Sequence, residues 1–207
     1  MPAPVRRIVD GRGRRAPSFT YGEEAEAISK AYISFRYALM PYLYSVFHEA
    51  SETGMPVNRS LAIDHSFDAR VYEPEFQNQF LFGPGLLVSP MTSREQVKST
   101  YLPAGQWYDL FTDERHEDGR VVRAEYADHR IPIFARASAI IPMQGKVQST
   151  RDDPGPVLTV HVFNGSERNE FVYYDKQQLE RLRAMEPMKP QATLEFDDAP
   201  GVVVRWR

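Results

Sequence analysis

The spacing of the apolar residues changes at Gly54, and this change limits the possible folds more than any other feature of the sequence. Before Gly54, apolar residues recur every three or four positions from Ile28 to Ala50, which predicts one amphipathic helix. After Gly54, short runs rich in β-branched and aromatic residues alternate with turn residues, a pattern typical of short β-strands. The chain therefore combines a helix with a mainly β region.

Local signals predict where the helix begins, bends and ends. Acidic residues beginning with Glu23 occupy its first turn, where the helix dipole favours negative charge. Pro41 removes a backbone donor and clashes with the preceding turn, so we expect a kink or a break near Leu39. Gly54 suits a left-handed C-terminal cap, and Pro56 prevents the helix from continuing.

The region after Gly54 contains six or more candidate strands without a helix between them, which favours an antiparallel β-sandwich. The candidate strands are PVNRSLAI, NQFLF, LLVSPM, VKSTYLP, QWYDLF, GRVVRAEY, RIPIFAR and SAIIPM. We expect VKSTYLP and QWYDLF to pair as a hairpin across Ala104–Gly105.

A polar stretch rich in proline, Gln148 to Pro156, predicts a linker and a second boundary. Beyond it, VLTVHVF and EFVYYD are expected to pair as a hairpin across Asn164–Gly165. Leu179, Leu182 and Met185 suggest a short helix, and two further strands follow. We therefore divide the chain into residues 1–54, 55–150 and 151–207, of which the last is a small or partial β unit.

The net charge of −3 gives no basic face, so neither nucleic acid nor an anionic membrane is an expected partner. No apolar run approaches a membrane span, and the first residues lack the apolar core of a signal peptide. We expect a soluble chain of undetermined compartment. Arg12–Arg15 form the one basic cluster, which is a solvated tail or, as the weaker alternative, a phosphate site.

The sequence contains no pattern that predicts a catalytic, metal or cofactor site. Phosphate loops, nucleophile elbows and zinc motifs are absent, as is cysteine, and the five histidines lack ligand spacing. Asp152–Asp153 and Asp197–Asp198 lie in turn-like sequence, where adjacent aspartates more often form turns than hydrolyse glycosides.

The aromatic stretch YLPAGQWYDLF, residues 101–111, admits two interpretations. Aromatics on one outer face would make a sugar-stacking platform. Because neighbouring residues on a strand point to opposite faces, Trp107 or Tyr108 can instead face a core, with Tyr101 beside it on a partner strand. We favour core packing.

Several blocks, taken together and in order, resemble glycoside hydrolase family 31, the α-glucosidase and α-xylosidase family. The blocks are FRYALMPYLYSVFHEASETGMPVNRSLAI, NQFLFGPGLLVSP, YLPAGQWYDLFTDE and RIPIFARASAIIPM. The resemblance covers roughly Gly22 to Met143 and becomes weaker after Val157.

The resemblance implies that residues 1–54 are the end of a (β/α)₈ catalytic barrel, that 55–150 are the proximal C-terminal β-sandwich, and that 151–207 begin a distal β-domain. Family members are retaining enzymes with two catalytic aspartates on earlier barrel strands, so the resemblance carries no catalytic residue onto this chain. A substrate-contacting histidine of the last barrel loop would correspond to Asp10, whose carboxylate can accept a hydrogen bond from a sugar hydroxyl.

Our first hypothesis is that the chain is the C-terminal part of an α-glycosidase that hydrolyses or transfers α-linked glucose or xylose. Its partners would be the barrel, the N-terminal domain and an α-linked oligosaccharide, with no cofactor. The chain alone would be inactive, and the exposed helix face could drive homo-oligomer formation. The alternative is a non-catalytic carbohydrate-binding or interaction module. It would be favoured by an exposed face on which two or more of these residues are aligned: Tyr101, Trp107, Tyr108, Tyr126 and Trp206.

Overall fold

The fold is known from a computed structural model of the 207-residue chain. It describes residues 22–91, 97–117, 119–125, 130–155, 157–165, 169–175, 178–184, 194–196 and 202–206.

The predicted helix is present and breaks at the predicted place. Helix α1 spans Glu23–Ala38 and helix α2 spans Met40–Thr53, with Leu39 between them. Pro41 lies in the first turn of α2, where a missing N–H has no effect on the helical hydrogen bonds. Gly54 adopts φ 75° and its N–H donates to the carbonyl of Ala50 at 3.0 Å, which ends the helix.

The strands are short, as expected. Their bounds are β1 Asn58–Ser60, β2 Phe80–Phe82, β3 Leu86–Val88, β4 Val97–Leu102, β5 Trp107–Asp109, β6 Arg115–His116, β7 Arg120–Glu125, β8 Ile133–Arg136, β9 Ile140–Gln144, β10 Leu158–Val162, β11 Asn169–Asp175, β12 Gln178–Ala184, β13 Leu194–Phe196 and β14 Val202–Trp206.

A six-stranded sheet in the order β1-β2-β3-β8-β5-β6 forms the centre of the sandwich, and both of its faces are covered. On one face, Phe82 and Tyr108 pack into a core with α2, β9 and β10. On the other face, Leu81 and Trp107 pack into a second core with β4 and the segment after β1. The alternation of side chains along each strand thus serves two apolar layers, which confirms the β-sandwich.

The expected hairpin between VKSTYLP and QWYDLF is wrong. Strand β4 pairs with β7, whereas β5 pairs with β6 and β8 in the central sheet. The residues between them make a corner that folds one sheet over the other, and the indole N–H of Trp107 donates to the carbonyl of Pro103 at 2.9 Å across it. Tyr101 and Trp107 consequently meet in one core rather than on one hairpin.

The segment PVNRSLAI is only partly a strand. Strand β1 ends at Ser60, and a short helix, α3 Leu61–Asp64, follows it. The hydroxyl oxygen of Ser60 accepts a hydrogen bond from the N–H of Ala62 at 3.3 Å, which favours the start of the helix. Two 3₁₀ helices, Ala69–Tyr72 and Pro74–Phe76, then lead to β2.

Two expectations after the linker are also wrong. Strand β10 pairs with β9 and β14 rather than with β11, which pairs with β12. Residues Gln178–Ala184, expected to include a helix, form strand β12 between β11 and β13. The division of the chain near residue 150 stays a prediction, and the sheet β14-β10-β9 spans it.

Candidate functional site

Asp10, the one sequence-predicted substrate contact, lies outside the described residues, as do Arg12–Arg15 and Asp197–Asp198. The remaining aspartate pair lies in a loop, where the Asp152 carboxylate accepts hydrogen bonds from the N–H groups of Gln148 and Ser149 at 3.0 and 2.9 Å. The hydroxyl of Ser149 adds a third bond at 3.0 Å, and these bonds lower the pKa of Asp152. Asp152 thus forms a turn, as its sequence context indicates.

His48, His65 and His116 lie in three different environments. The His48 ring stacks on Tyr174 with centroids 4.3 Å apart. Burial lowers the pKa of His65 and that of His116, which packs edge-on against Phe134 at 5.6 Å. Within the part of the chain that the structure describes, no three His, Asp or Glu side chains cluster closely enough to hold a metal ion.

The aromatic stretch 101–111 forms no sugar platform. Tyr101, Trp107 and Tyr108 are 3%, 1% and 7% exposed, so all three rings belong to the two cores. Tyr126 and the side chain of Trp206 lie outside the described part of the structure. The interpretation as core packing is confirmed for these three residues.

The inner face of helix α2 is fixed to the sandwich. Leu39, Tyr42, Leu43 and Val46 are buried in the first core. The hydroxyl of Tyr42 donates to the carbonyl of Phe82 at 2.8 Å and accepts from the N–H of Gly85 at 3.1 Å, which ties the helix to the turn between β2 and β3. Burial raises the pKa of this phenol.

Strand β11 packs on the same helix from another direction. The Phe171 ring stacks on Tyr42 with centroids 5.3 Å apart. The backbone N–H of Tyr174 donates to the hydroxyl oxygen of Ser45 at 3.0 Å, and this hydroxyl in turn donates to the carbonyl of Pro41 at 2.7 Å. Helix α2 therefore joins the sandwich to the strands that follow the linker.

The outer face of the two helices is apolar and exposed. Ile33, Tyr44 and Phe47 are 44%, 56% and 57% exposed, and α1 has no buried residue along its 16 positions. Tyr44 and Phe47 lie one turn apart, on the side of α2 that the core does not cover. A helix with apolar residues on opposite faces is typical of a helix packed between two layers. We call Ile33, Tyr44 and Phe47 the outer helical face.

A groove of about 330 Å³ lies where α1 approaches the sandwich. Its lining residues are Ile28, Ala31, Tyr32, Phe35, Phe111 and Arg130. The hydroxyl oxygen of Tyr32 accepts from the N–H of Ile131 at 2.6 Å, and burial raises its pKa. The rings of Phe35 and Phe111 lie 5.8 Å apart. No carboxylate lines this groove, so it lacks the paired acids of a glycosidase and offers a mainly apolar contact surface.

The sequence predicts the helical side of this region and misses the sandwich side. The three- and four-residue spacing from Ile28 to Ala50 includes Tyr32 and Phe35, which line the groove on the helical side. Phe111 and Arg130 follow different strands, and no local pattern connects them with α1.

Among the residues that the structure describes, no helix is long and apolar enough to cross a membrane.

The family model of the glycosyl hydrolase family 31 C-terminal domain matches residues 54–141. Among curated relatives, the alpha-xylosidase of Saccharolobus solfataricus is 33% identical over 75% of this chain and 21% of its own length. Alpha-glucosidase 2 of Bacillus thermoamyloliquefaciens is 34% identical over 80% of this chain and 21% of its own length. The chain thus spans about a fifth of the curated relatives that it matches.

Solved structures of the same family have the same fold. The GH31 alpha-xylosidase of Xanthomonas citri matches 92% of this chain and 22% of its own, with a TM-score of 0.75 and 26% identity. The GH31 dextranase of Flavobacterium johnsoniae, solved with glucose, matches 82% of this chain and 22% of its own, with a TM-score of 0.75 and 27% identity. A variant of that dextranase was solved with isomaltotriose.

Proposed function

The chain belongs to glycosyl hydrolase family 31, whose C-terminal domain lies at residues 54–141, and on this premise we propose that it serves as the C-terminal part of an α-glycosidase. The complete enzyme would hydrolyse or transfer α-linked glucose or xylose. The names of the relatives, an alpha-xylosidase and an alpha-glucosidase among them, support this range of substrates. The role of the chain itself would be to brace the catalytic barrel.

The outer helical face is the observation that carries this proposal. Helix α2 has its inner residues in the sandwich core, while Tyr44 and Phe47 on its other side are more than half exposed. Exposed apolar surface of this kind marks a contact with another domain or molecule. We infer that its occupant is the rest of the barrel of the same enzyme, because the matched relatives extend over nearly five times the aligned length.

In this proposal the catalytic carboxyl groups lie in the part of the barrel that precedes this chain. A retaining glycosidase needs two carboxyl groups ~5–5.5 Å apart across the scissile bond. Neither the groove beside α1 nor the smaller pocket beside Tyr72 has a carboxylate among its lining residues. This agrees with the family resemblance, in which both catalytic aspartates precede the region matched by this chain. Asp10 remains a proposal for a sugar contact at the edge of the barrel.

An activity assay tests the proposal. The purified chain is incubated with an aryl α-glucoside and an aryl α-xyloside, beside an intact family 31 α-glucosidase as positive control. We expect no release of the aryl alcohol above the buffer blank from the chain and clear release from the control. Turnover by the chain alone, retained through a second purification step, would contradict the absence of catalytic carboxylates.

A further inference from the structure

The segment between β1 and β2 carries exposed aromatic residues that neither the sandwich core nor the outer helical face uses. Phe67 is 104% exposed and Tyr72 is 52% exposed, although both lie only a few residues from buried positions. Ile63, at 45%, is the third exposed apolar residue of this segment. Single exposed apolar residues are common on protein surfaces, but these three lie on one short segment, beside a pocket.

Hydrogen bonds hold the Tyr72 ring in a defined position. Its hydroxyl donates to the carbonyl of Ser66 at 3.0 Å, which fixes the ring along the turn from His65 to Asp68. One carboxylate oxygen of Asp68 accepts from the N–H of Arg70 at 3.0 Å, and the other accepts from the hydroxyl of Tyr101. The turn is thereby anchored to the second core, and the Tyr72 ring is held in position before a ligand binds.

A pocket of about 300 Å³ opens beside this ring, at the lower end of the ~300–1,000 Å³ typical of small-molecule sites. Its lining residues are Ser60, Leu61, Ala62, Val71, Tyr72, Phe76, Gln77 and Gln79. Leu61, Val71 and Phe76 are buried and make an apolar wall. Ser60 and Gln77 are exposed and provide hydroxyl and amide groups at the opening.

The two glutamines differ in what they can offer a ligand. Gln79 is buried, and its amide both donates to the carbonyl and accepts from the N–H of Tyr101 at 2.9 Å, so its role is structural. The amide nitrogen of Gln77 donates to the carbonyl of Tyr72 at 3.3 Å. Among the described residues, the amide oxygen of Gln77 forms no hydrogen bond and can accept one from a hydroxyl.

No charged side chain lines the pocket, which favours a neutral ligand over a charged one. Arg70, the cation of this segment, is engaged elsewhere, 3.6 Å from a carboxylate oxygen of Glu73 and 4.8 Å above the Tyr101 ring. A phosphorylated or nucleic acid ligand would find no available cation in this pocket. An apolar wall, an aromatic ring and neutral hydrogen-bonding groups instead match a pyranose, which has a C–H face and a rim of hydroxyls.

We propose that Tyr72, Gln77 and Ser60 form a binding site for one neutral pyranose unit of an oligosaccharide, with the sugar stacked on the Tyr72 ring. Gln77 accepts a hydrogen bond from a sugar hydroxyl, and Ser60 donates one. The pyranose class follows from the pocket itself. The choice of α-linked glucose as the sugar rests on the proposed function.

The test is a titration of the isotope-labelled chain with isomaltotriose and with maltotriose, followed by backbone amide chemical shifts. We expect saturable shifts at residues 60–79 with a Kd of about 1 mM, a value in the range of weak neutral ligands. Glycerol at the same hydroxyl concentration is the control for non-specific effects and should give no saturable shifts.

Matched tyrosine variants identify the site. Tyr72→Ala removes the stacking ring and should raise the Kd by about tenfold, which corresponds to roughly 1.4 kcal/mol. Tyr44→Ala removes a ring of similar exposure, 56% against 52%, from α2 and should leave the Kd unchanged. Tyr72→Phe keeps the ring without its hydroxyl bond and should stay within about threefold of the parent Kd, which separates stacking from loss of the fold.

Three results would overturn the site: no saturable shift with either sugar, shifts confined to other segments, or equal Kd values for Tyr72→Ala and the parent. Each of these leaves the proposed function unaffected, because that proposal is judged by the turnover of aryl glycosides. Conversely, turnover by the chain alone would refute the proposed function and leave sugar binding at Tyr72 standing.

Discussion

The hydroxyl of Tyr42 makes two hydrogen bonds that attach α2 to the sandwich, and Tyr42→Phe measures their contribution. The side chain is fully buried, and its ring contacts both Phe82 and Phe171. The substitution keeps the ring and removes only the oxygen. It therefore deletes the bond to the Phe82 carbonyl and the bond from the Gly85 N–H without opening a cavity of any size.

The expected cost follows from those two bonds. A typical buried hydrogen bond contributes ~0.5–1.5 kcal/mol, and a buried donor left without a partner costs ~1–3 kcal/mol. The Gly85 N–H becomes such a donor in the variant, because it donates to the Tyr42 oxygen in the parent chain. We expect Tyr42→Phe to lower the free energy of unfolding by about 2 kcal/mol. Complete truncation to alanine would cost more, ~3–5 kcal/mol, since it adds a cavity.

Urea denaturation followed by tryptophan fluorescence measures the effect, because Trp107 is buried in the described structure. With a slope of about 2 kcal/mol per molar urea, the midpoint should fall by about 1 M. Tyr44→Phe is the control, since its hydroxyl is on an exposed ring, and it should change stability by less than ~0.5 kcal/mol. Equal midpoints for the two variants would refute the assignment of the Tyr42 hydroxyl as the tie between helix and sheet.

Three further outcomes are expected. Gly83→Ala should destabilise the protein more than Gly54→Ala. Both residues have positive φ, 62° and 75°, but only at Gly83 would the added Cβ clash with the Tyr42 hydroxyl and a methyl group of Val46. The difference between the urea midpoints of the two variants measures this clash. Burial lowers the pKa of His116 below the 6.5 of the unfolded chain, so the stability that neutral His116 contributes is complete above pH 6.5 and is lost as the pH falls through the folded pKa. His116→Phe should therefore show a smaller fall of the urea midpoint below pH 6.5 than the parent chain. Ile33→Lys should reduce the self-association of the isolated chain in analytical ultracentrifugation. Ile63→Lys is the matched control, since Ile63 is 45% exposed and Ile33 is 44% exposed, and it should have no effect. Equal effects of the two substitutions would show that the outer helical face is not the associating surface.

The features that the sequence predicts best are those decided within a few residues. The break at Leu39 follows from Pro41, and the end of α2 follows from Gly54, because each depends on local backbone chemistry. The strands β2 and β3 around Gly83-Pro84-Gly85 are predictable for the same reason. Local signals of this kind survive in almost any tertiary context.

Strand partners are harder to predict, because a turn signal shows where the chain reverses and says nothing about which strand it joins. Asn164–Gly165 favours a hairpin turn, yet β10 and β11 enter different sheets. Gly165 is required for a different reason. A Cβ at Gly165 would clash with the backbone N and the hydroxyl oxygen of Ser138, so the position requires a residue without a side chain.

The predicted helix at 179–185 is wrong because its apolar spacing fits two structures. In strand β12, Leu182 lies opposite Phe171 of β11 and Phe196 of β13 in the backbone register. Strand β12 pairs with β11 along its whole length and with β13 over its last three residues. Tertiary pairing therefore overrides a short helical pattern, as expected where the periodic stretch covers barely two turns.

The two candidate surfaces differ in how far a sequence can reveal them. The periodicity predicts the face of α2 that packs on the sandwich, with Leu43 and Val46, whereas Tyr44 and Phe47 fall outside that period and are identified as an exposed apolar face by the structure. The Tyr72 pocket has no period, because its wall comes from β1, α3 and two 3₁₀ helices. The hydroxyl bond to Ser66 commits the polar end of Tyr72 to the protein, and the ring face is the part of this side chain that the proposed site uses. Neither this bond nor the combination of elements in the pocket wall has a signal in the sequence, so the structure is needed to identify the pocket.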